Sequence, residues 1–406
     1  MFNRLKSKLS QFYDIFIKPP KNWRKPKKSE IVIYDASGME NLEPYLAAYS
    51  VEVISLRGES VNMPCLFRAI LKLNFWKGKP IESYTDAFIE FASPRVVITY
   101  IDNNPAFYTI SNRFPYLKTV FLQNGVRGGK GDVFNYLKQS DKYHVDYMLV
   151  FAASFGKAYK KYITGEVKVI GSFKNNHIKM GAEESDGSIL FLSQYRKKPN
   201  NNQPLIINQN GTAVHWDKFY EAEVRVLDFL SKWCVENNKL LRIAGAFMLD
   251  EQSGERDLFA EHLNECMWEY SPKVGSDSSY KLVDVAEIVV FIDSALGFES
   301  IGRGKKTAGL SCRATILNDE SLNFGWPADL FNNGAFWTND VDEIQFQRVM
   351  NYLSMVSNEE WELTRQIYSN ELMEFDAGNT GLIILLEQLL SNSKCLDHST
   401  SLLKRV

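Results

Sequence analysis

The segment Phe291–Ala308 reads FIDSALGFESIGRGKKTA. An apolar run, Ile288–Ile292, stops at Asp293-Ser294, and a helix should begin at Ala295. Free N–H groups at a helix N-terminus, joined by the Ser294 hydroxyl, form an anion site. Gly297 lets a ligand come close to the backbone, with Phe298 beside it. Glu299 falls within the first turns, where a carboxylate accepts hydrogen bonds from ribose hydroxyls. Arg303, Lys305 and Lys306 follow one to two turns on and add positive potential. Together these pieces fit the headgroup of a nucleoside mono- or diphosphate. An N-cap serine with a glutamate on the helix dipole explains either residue alone. It accounts less easily for the Gly-Phe-Glu and Arg-Gly-Lys-Lys surroundings.

Other strand ends carry further candidates. VVITYIDNN places Asp102 just beyond a strand, where it would point into a cleft. A carboxylate there could take a proton from an acceptor hydroxyl or attack an anomeric carbon; Asp-Asn-Asn-Pro is also turn chemistry, and the cap reading stands beside the catalytic one. VFLQNGVRGGKGDVF places Gln123, Asn124 and Arg127 after the next strand as acceptor or sugar contacts, with Arg127 suited to a carboxylate or phosphate. Ser172 and Lys174 sit in GSFKNN near a domain junction, and Ser193 and Arg196 follow the first strand of the second half. Lys174 and Arg196 are the cations expected to meet a donor phosphate. Arg242, inside a strand, is expected to be a paired structural arginine. Asp340-Val341-Asp342 is formally a D-x-D but opens a helix, so capping is the expected role and no metal site is expected.

The elements that must hold these residues alternate. Strands are expected at Ile31–Tyr34, Val51–Leu56, Arg95–Tyr100, Lys118–Leu122, Tyr147–Phe151 and Val167–Ile170, with helical patterns between several of them. This implies a parallel sheet covered on both faces. Gly181–Ser188 reads as a linker. A second series follows, with strands at Ile189–Leu192, Leu240–Ala244, Ile288–Ile292 and Thr307–Leu310 and a strong amphipathic helix over about Trp216–Asn237. The expected fold class is α/β, two doubly wound Rossmann-like domains facing a cleft, with a helical C-terminus. The expected divisions are a basic N-terminal segment at 1–29, an acceptor-side domain at 30–180, a donor-binding domain at 181–345, C-terminal helices at 346–390 and a tail at 391–406. Such sheets bind ligands at the carboxyl ends of their strands.

Bulk properties narrow the class. The chain has 406 residues and a net charge of −2, so it is not a nucleic-acid binder by charge. Its five cysteines are scattered without a C-x-x-C pair, which favours reduced thiols over disulfides or zinc. No apolar stretch is long enough to span a bilayer. Residues 1–29 carry nine Lys and Arg, with Phe2, Leu5, Leu9, Phe12, Tyr13 and Phe16 at helical spacing. That pattern suits either an anionic membrane surface or a helix packed on the protein.

The D-S-x-L-G-F-E-S-I-x-R-G-K-K pattern at Asp293–Lys306 resembles the donor-binding signature of bacterial surface carbohydrate biosynthesis proteins, and is similar to a segment of capsule Kdo transferases. Weaker resemblances lie at Asp102-Asn103-Asn104, Phe121–Arg127, Ile170–Asn176, Gly325-Trp326-Pro327 and Phe336–Asn339. The resemblance runs from about Arg95 to Trp361. It implies a GT-B glycosyltransferase, with the nucleotide on the second half, the acceptor on the first and a final helix crossing back. The implied donor is a nucleotide sugar, first choice a CMP-linked ulosonic acid such as Kdo or sialic acid. The implied acceptor is a surface polysaccharide or glycolipid, and the expected location is the cytoplasmic face of the membrane, with no cofactor. Tyr270-Ser271-Pro272 stands where related CMP-sugar enzymes carry a His-Pro pair, which leaves no histidine acid there. A CDP-glycerol-type polyol-phosphate transferase and a non-catalytic glycan-binding protein remain as alternatives.

Overall fold

The computed structural model describes residues 13–128, 133–136, 140–181, 184–201, 203–248, 254–263 and 266–391. Two parallel sheets form its framework. The first contains β1 (Ile31–Tyr34), β2 (Val51–Ile54), β3 (Val96–Thr99), β4 (Lys118–Leu122), β5 (His144–Val150) and β6 (Thr164–Val169) in the order β2-β1-β3-β4-β5-β6. All of its pairings are parallel. β1 and β3 are buried along their whole length and read as IVIY and VVIT, runs dominated by β-branched residues, as strands covered on both faces do. Helices α1 (Met39–Leu46), α2 (Met63–Ile70), α3 (Leu73–Trp76) and α4 (Pro80–Ala92) lie within the connections of this sheet.

The chain then passes through the short helix α5 (Phe173–His177), capped by Ser172, into the second sheet. Its strands are β7 (Ile189–Leu192), β8 (Leu241–Met248), β9 (Trp268–Lys273), β10 (Ile288–Phe291), β11 (Thr307–Leu310), β12 (Asn333–Gly334) and β13 (Trp337–Thr338). They run in the order β9-β8-β7-β10-β11-β13-β12, with only the β12–β13 edge pair antiparallel. The order reverses between β7 and β10, so their carboxyl ends diverge and leave a crevice. Open α/β sheets bind ligands at such a point. The long helix α6 (Trp216–Glu236) buries Phe219, Val226, Leu227, Leu230 and Trp233, a stripe at three- and four-residue spacing, and Glu223 falls on the same stripe. Helices α7 (Ser278–Val285) and α8 (Ala295–Gly302) flank β10 in sequence.

The last helices are α9 (Glu343–Met355), α10 (Asn358–Leu372) and α11 (Thr380–Ser391). Leu382, Leu385, Leu386 and Leu390 of α11 join one face of the first sheet, packing with Ile31, Ile33, Val96, Ile98 and Val120. The Arg95 guanidinium donates to the Leu389 and Leu390 carbonyls, satisfying the end of that helix. The chain therefore returns to its first domain, as the resemblance implied.

The N-terminal segment departs from a free tether. Phe16 is buried, edge-on to Tyr84 at 5.5 Å. The Lys21 ammonium gathers the Phe16, Ile17 and Pro19 carbonyls, and Lys21-Asn22 pairs in parallel with Val61-Asn62. The first twelve residues, with most of the expected amphipathic helix, lie outside the described residues. Among the described residues, no helix is long and apolar enough to cross a membrane.

Candidate functional site

The crevice between β7 and β10 opens into a 520 Å³ cavity. Gln194 and Arg196, beyond β7, line it on one side, and Asp293 and Phe298, at the start of α8, line it on another. Ser311, Asp319, Ser321, Asn323 and Trp326 contribute from beyond β11, and Val126 and Gly128 reach it from the first domain. The cavity thus lies between the two domains. A larger cavity of 770 Å³ is lined by linker and α7 residues, among them Lys179 and Lys281, rather than by strand ends.

Ser294 is the N-cap residue of α8 by backbone geometry, but its side chain makes no capping bond. Its hydroxyl is therefore left for a ligand beside Asp293, which lines the cavity, while the Gly297 amide already donates to the Ser294 carbonyl. The Arg196 guanidinium stacks over the Phe219 ring at 5.4 Å and makes no ion pair among the described residues. Its backbone is fixed by Tyr220 and Trp216. A cation held by a ring face and left without a carboxylate is suited to an incoming phosphate.

Asp293 is held from behind. Arg313, wholly buried, donates to one Asp293 oxygen at 2.5 Å and also to Glu223. Its guanidinium lies 4.0 Å from the centre of the Phe219 ring. The nearby carboxylates push the Arg313 pKa up against its own desolvation, so it stays charged. Burial raises the Glu223 carboxyl, opposed by Arg313. Among the described residues, one Glu223 oxygen has no hydrogen-bond partner, and neither has the buried Trp326 indole nitrogen at the cavity. The second Asp293 oxygen has no partner among the described residues, and its side chain is 14% exposed. Asp293 is therefore a cavity-facing carboxylate whose orientation is set by a buried cation. Arg313 and Glu223 were not singled out in the sequence. The signal was there: a glutamate on the apolar stripe of α6, and an arginine three residues after the wholly buried β11.

Asp102 does not point into the cleft. It is fully buried, receives both Arg127 Nε at 2.7 Å and an Arg127 terminal nitrogen, and accepts from the Tyr159 hydroxyl and the Asn124 amide. Its proton-accepting positions are occupied, which overturns the expectation of an open carboxylate. The same network absorbs the expected acceptor contacts. Arg127 binds Asn124 as well as Asp102, and Gln123 is fixed at both ends by Gly125 and the Phe151 amide. These residues set the path of the Asn124–Gly128 loop, and it is Val126 and Gly128 that reach the cavity.

The hinge-side residues also turn inward. Glu299 accepts from Ser172 Oγ at 2.5 Å and from Tyr280 Oη at 2.7 Å. Burial raises its carboxyl above the usual range, opposed by those two donors and by Lys174 and Arg303. Glu299 and Ser172 therefore bond each other across the linker instead of standing open to a ribose. Lys174 lies over the Tyr280 ring at 5.7 Å. Ser193 donates to Glu255 and accepts from the Tyr195 amide, so it braces the loop carrying Arg196.

Nor does the basic cluster supply open positive charge. Arg303 pairs with Asp284 at 2.7 Å and reaches the Asn175, Ile178 and Lys179 carbonyls. Lys305 binds the Asp284 carbonyl and Lys306 the Val356 carbonyl. The cluster fastens the second domain to α5 and the residues just after it, and to the end of α9. Gly297 has a packing reason: a Cβ there would stand 2.1 Å from the Phe291 ring. Arg242 pairs with Glu269 and Asp186, and Asp342 caps α9. Among the described residues no group of His, Cys, Asp and Glu is gathered as metal ligands.

Residues 120–390 match a family model described as "putative O-antigen biosynthesis protein". The chain belongs to that family. It is thus a surface-carbohydrate biosynthesis protein, and the matched region holds every cavity residue named above. No curated protein matches it in sequence. Solved structures similar to it include S. aureus MnaA with UDP, at 10% identity over 89% of this chain and 97% of that one, with a TM-score of 0.52. UDP-GlcNAc 2-epimerase from Neisseria meningitidis bound to UDP-GlcNAc has the same TM-score at 9% identity, covering 89% of this chain and 99% of its own. A glycosyltransferase from Rickettsia africae ESF-5 aligns at 12% identity over 91% of this chain and 100% of its own, with a TM-score of 0.47. At such identities the two likenesses with a TM-score of 0.52 show the fold alone, two doubly wound domains facing a cleft in the GT-B manner.

Proposed function

We propose that this protein is a glycosyltransferase that moves a sugar from a nucleotide donor to a surface polysaccharide or glycolipid precursor. The observation that carries it is the convergence, at the strand-order reversal, of Arg196, Asp293 and the uncapped start of α8 on one interdomain cavity. The Ser294 hydroxyl, the α8 amides and Arg196 hold the donor phosphates and stabilise the charge that develops on the leaving phosphate. The acceptor oxygen bonds to the anomeric carbon as the bond from that carbon to the phosphate oxygen breaks. Asp293 takes the acceptor proton, replacing Asp102 in that role, and Arg313 keeps it oriented and ionised. Binding of UDP and of UDP-GlcNAc by proteins of the same fold supports the ligand class. A CMP-linked ulosonic acid is the first-choice donor, on the resemblance of Asp293–Lys306 to Kdo-transferase signatures.

The test is thermal stabilisation by CMP, CDP, UDP, GDP and ADP, followed by turnover with the matching sugar nucleotides. Ligand binding to the native state raises its apparent stability. A shift with CMP supports the ulosonic acid donor, UDP or GDP replaces that donor, and CDP moves a polyol-phosphate transfer to first place. No shift with any nucleotide in a cooperatively folded sample overturns the reading. Asp293→Asn is expected to lower turnover by about 10²-fold or more, the range for a positioned proton acceptor. Nucleotide affinity should stay within a few-fold. Retained turnover removes Asp293 from the mechanism.

A further inference from the structure

The described surface contains an apolar patch bordered by cations, on the first domain and away from the residues that line the interdomain cavity. Leu71 is 86% exposed, Leu73 76%, Trp76 72% and Trp23 67%, with Phe67 also exposed. They form a continuous feature. Trp23 and Phe67 are in ring contact at 6.1 Å, Phe67 and Leu71 are one turn apart along α2, and Leu73 and Trp76 belong to α3 immediately after it. The corner is built to hold these side chains outward. Phe75 anchors α3 inward, and the Trp76 indole N–H is fixed to the Ile70 carbonyl at 2.8 Å. The underside is secured by α2 packing on α4 and by Asn62, which caps α2 and ties down the Arg24 carbonyl.

The two chain segments that carry this patch hold cations and no acidic residue. Between Met63 and Pro80 stand Arg68, Lys72, Lys77 and Lys79 with no acidic residue, and between Ile15 and Lys28 stand Lys18, Lys21, Arg24, Lys25, Lys27 and Lys28, again with none. The chain as a whole has a net charge of −2, so the concentration is local. Glu90 serves both Arg68 and Lys72, each at 2.6 Å, and Lys79 meets Glu82. Lys18, Arg24, Lys25, Lys27, Lys28 and Lys77 make no ion pair among the described residues. Lys25 instead lies over the Phe91 ring at 4.5 Å.

We propose that this face, Trp23 with the α2–α3 corner, docks on an anionic lipid bilayer. Protruding leucines and tryptophans suit the boundary between headgroups and acyl chains, and unpaired lysines and arginines suit a negative surface potential. A nucleic acid would meet the same cations but gives the exposed leucines no favourable surroundings. The face shares Trp23 and the cations of residues 18–28 with the N-terminal segment expected to meet an anionic surface, and goes beyond that expectation by adding the exposed apolar corner of α2 and α3. It is also independent of the glycosyltransferase reading.

The experiment is co-sedimentation of the full chain with large vesicles of phosphatidylcholine containing phosphatidylglycerol, against phosphatidylcholine alone, at two salt concentrations. Wild type is expected to partition onto the anionic vesicles and to weaken with salt. Leu71→Asp with Leu73→Asp and Trp76→Ser should lower that partitioning at least tenfold with an unchanged melting midpoint, because the replaced side chains are exposed. Arg24→Gln with Lys25→Gln and Lys77→Gln should flatten the salt dependence and keeps the test open if the first variant folds poorly. Residues 1–12 are present throughout and contribute equally. Wild-type partitioning by both variants overturns the proposal, as does equal binding of neutral vesicles. A dimer that the apolar variant converts to monomer, with vesicle binding untouched, would make the face a contact between copies and also overturns it.

Discussion

Ser294 separates a structural cap from a ligand group cleanly, because the two roles predict opposite measurements. A serine that caps a helix costs about 1 kcal/mol of stability when replaced by alanine. In the free protein the Ser294 side chain makes no such bond. Ser294→Ala should therefore change folding stability by no more than about 0.5 kcal/mol, the range of an uninvolved surface position. In the nucleotide complex the same hydroxyl would donate to a charged phosphate oxygen. Hydrogen bonds to charged groups contribute about 1.5–3 kcal/mol. At about 1.4 kcal/mol per tenfold, the dissociation constant of the stabilising nucleotide should rise roughly 10- to 100-fold. Titration calorimetry gives the affinity, and denaturant unfolding without ligand gives the stability. Ser294→Thr keeps the hydroxyl and should recover most of the binding. An alanine variant that loses 1 kcal/mol or more of stability and binds nucleotide as wild type does would refute the reasoning and make Ser294 a cap.

Glu299 and Arg313 give two further tests. Burial holds the Glu299 carboxyl above its ordinary value of 4.5, so the folded protein binds that proton more tightly than the unfolded chain. The stability this carries is fully present below the unfolded value and is lost as pH rises through the folded one. Glu299→Gln should remove that slope and gain on wild type as pH rises; parallel stability profiles would contradict it. Arg313→Met leaves Glu223 and Asp293 without their common counter-ion inside the protein. Breaking a buried pair in this way costs about 3–5 kcal/mol. Unfolding in urea should show it, and a loss under 1 kcal/mol would mean the two carboxylates are neutralised otherwise.

The sequence exposed the repeating elements because covered parallel strands require unbroken apolar runs, and Ile31–Tyr34 and Ile288–Ile292 have little other reading. The site was legible at the ends of those strands, where Arg196 and Ser294 stand at the crevice. What stayed hidden was direction. Asp102 and Arg127 are 25 positions apart, and nothing local announces that one neutralises the other. The R-G-K-K run reads as open charge, yet its partners are Asp284, Val356 and the carbonyls of Asn175, Ile178 and Lys179, contributed by distant elements. Gly297 invites a ligand explanation until the Phe291 ring is seen against its Cα. In each case a local pattern was read without the neighbour that satisfies it.

The two passages of the chain between domains run side by side. Gly171 bridges to Phe375, Asn176 bonds the Asn379 side chain and the Asp376 amide, and the Glu374 amide donates to the Phe151 carbonyl. Gly171 has φ +76°, and a Cβ there would stand 2.0 Å from the Glu374 carbonyl oxygen, so the two passages touch backbone to backbone. Two adjacent pins of this sort leave a door one way to swing. Translation and twisting of the domains against each other would break the bonds between passages, and those that Ser154 and Lys157 make to Glu371 beside them. If the domains turn about these passages, the width of the interdomain cavity changes with the turn, and a pair of labels across it would read that change.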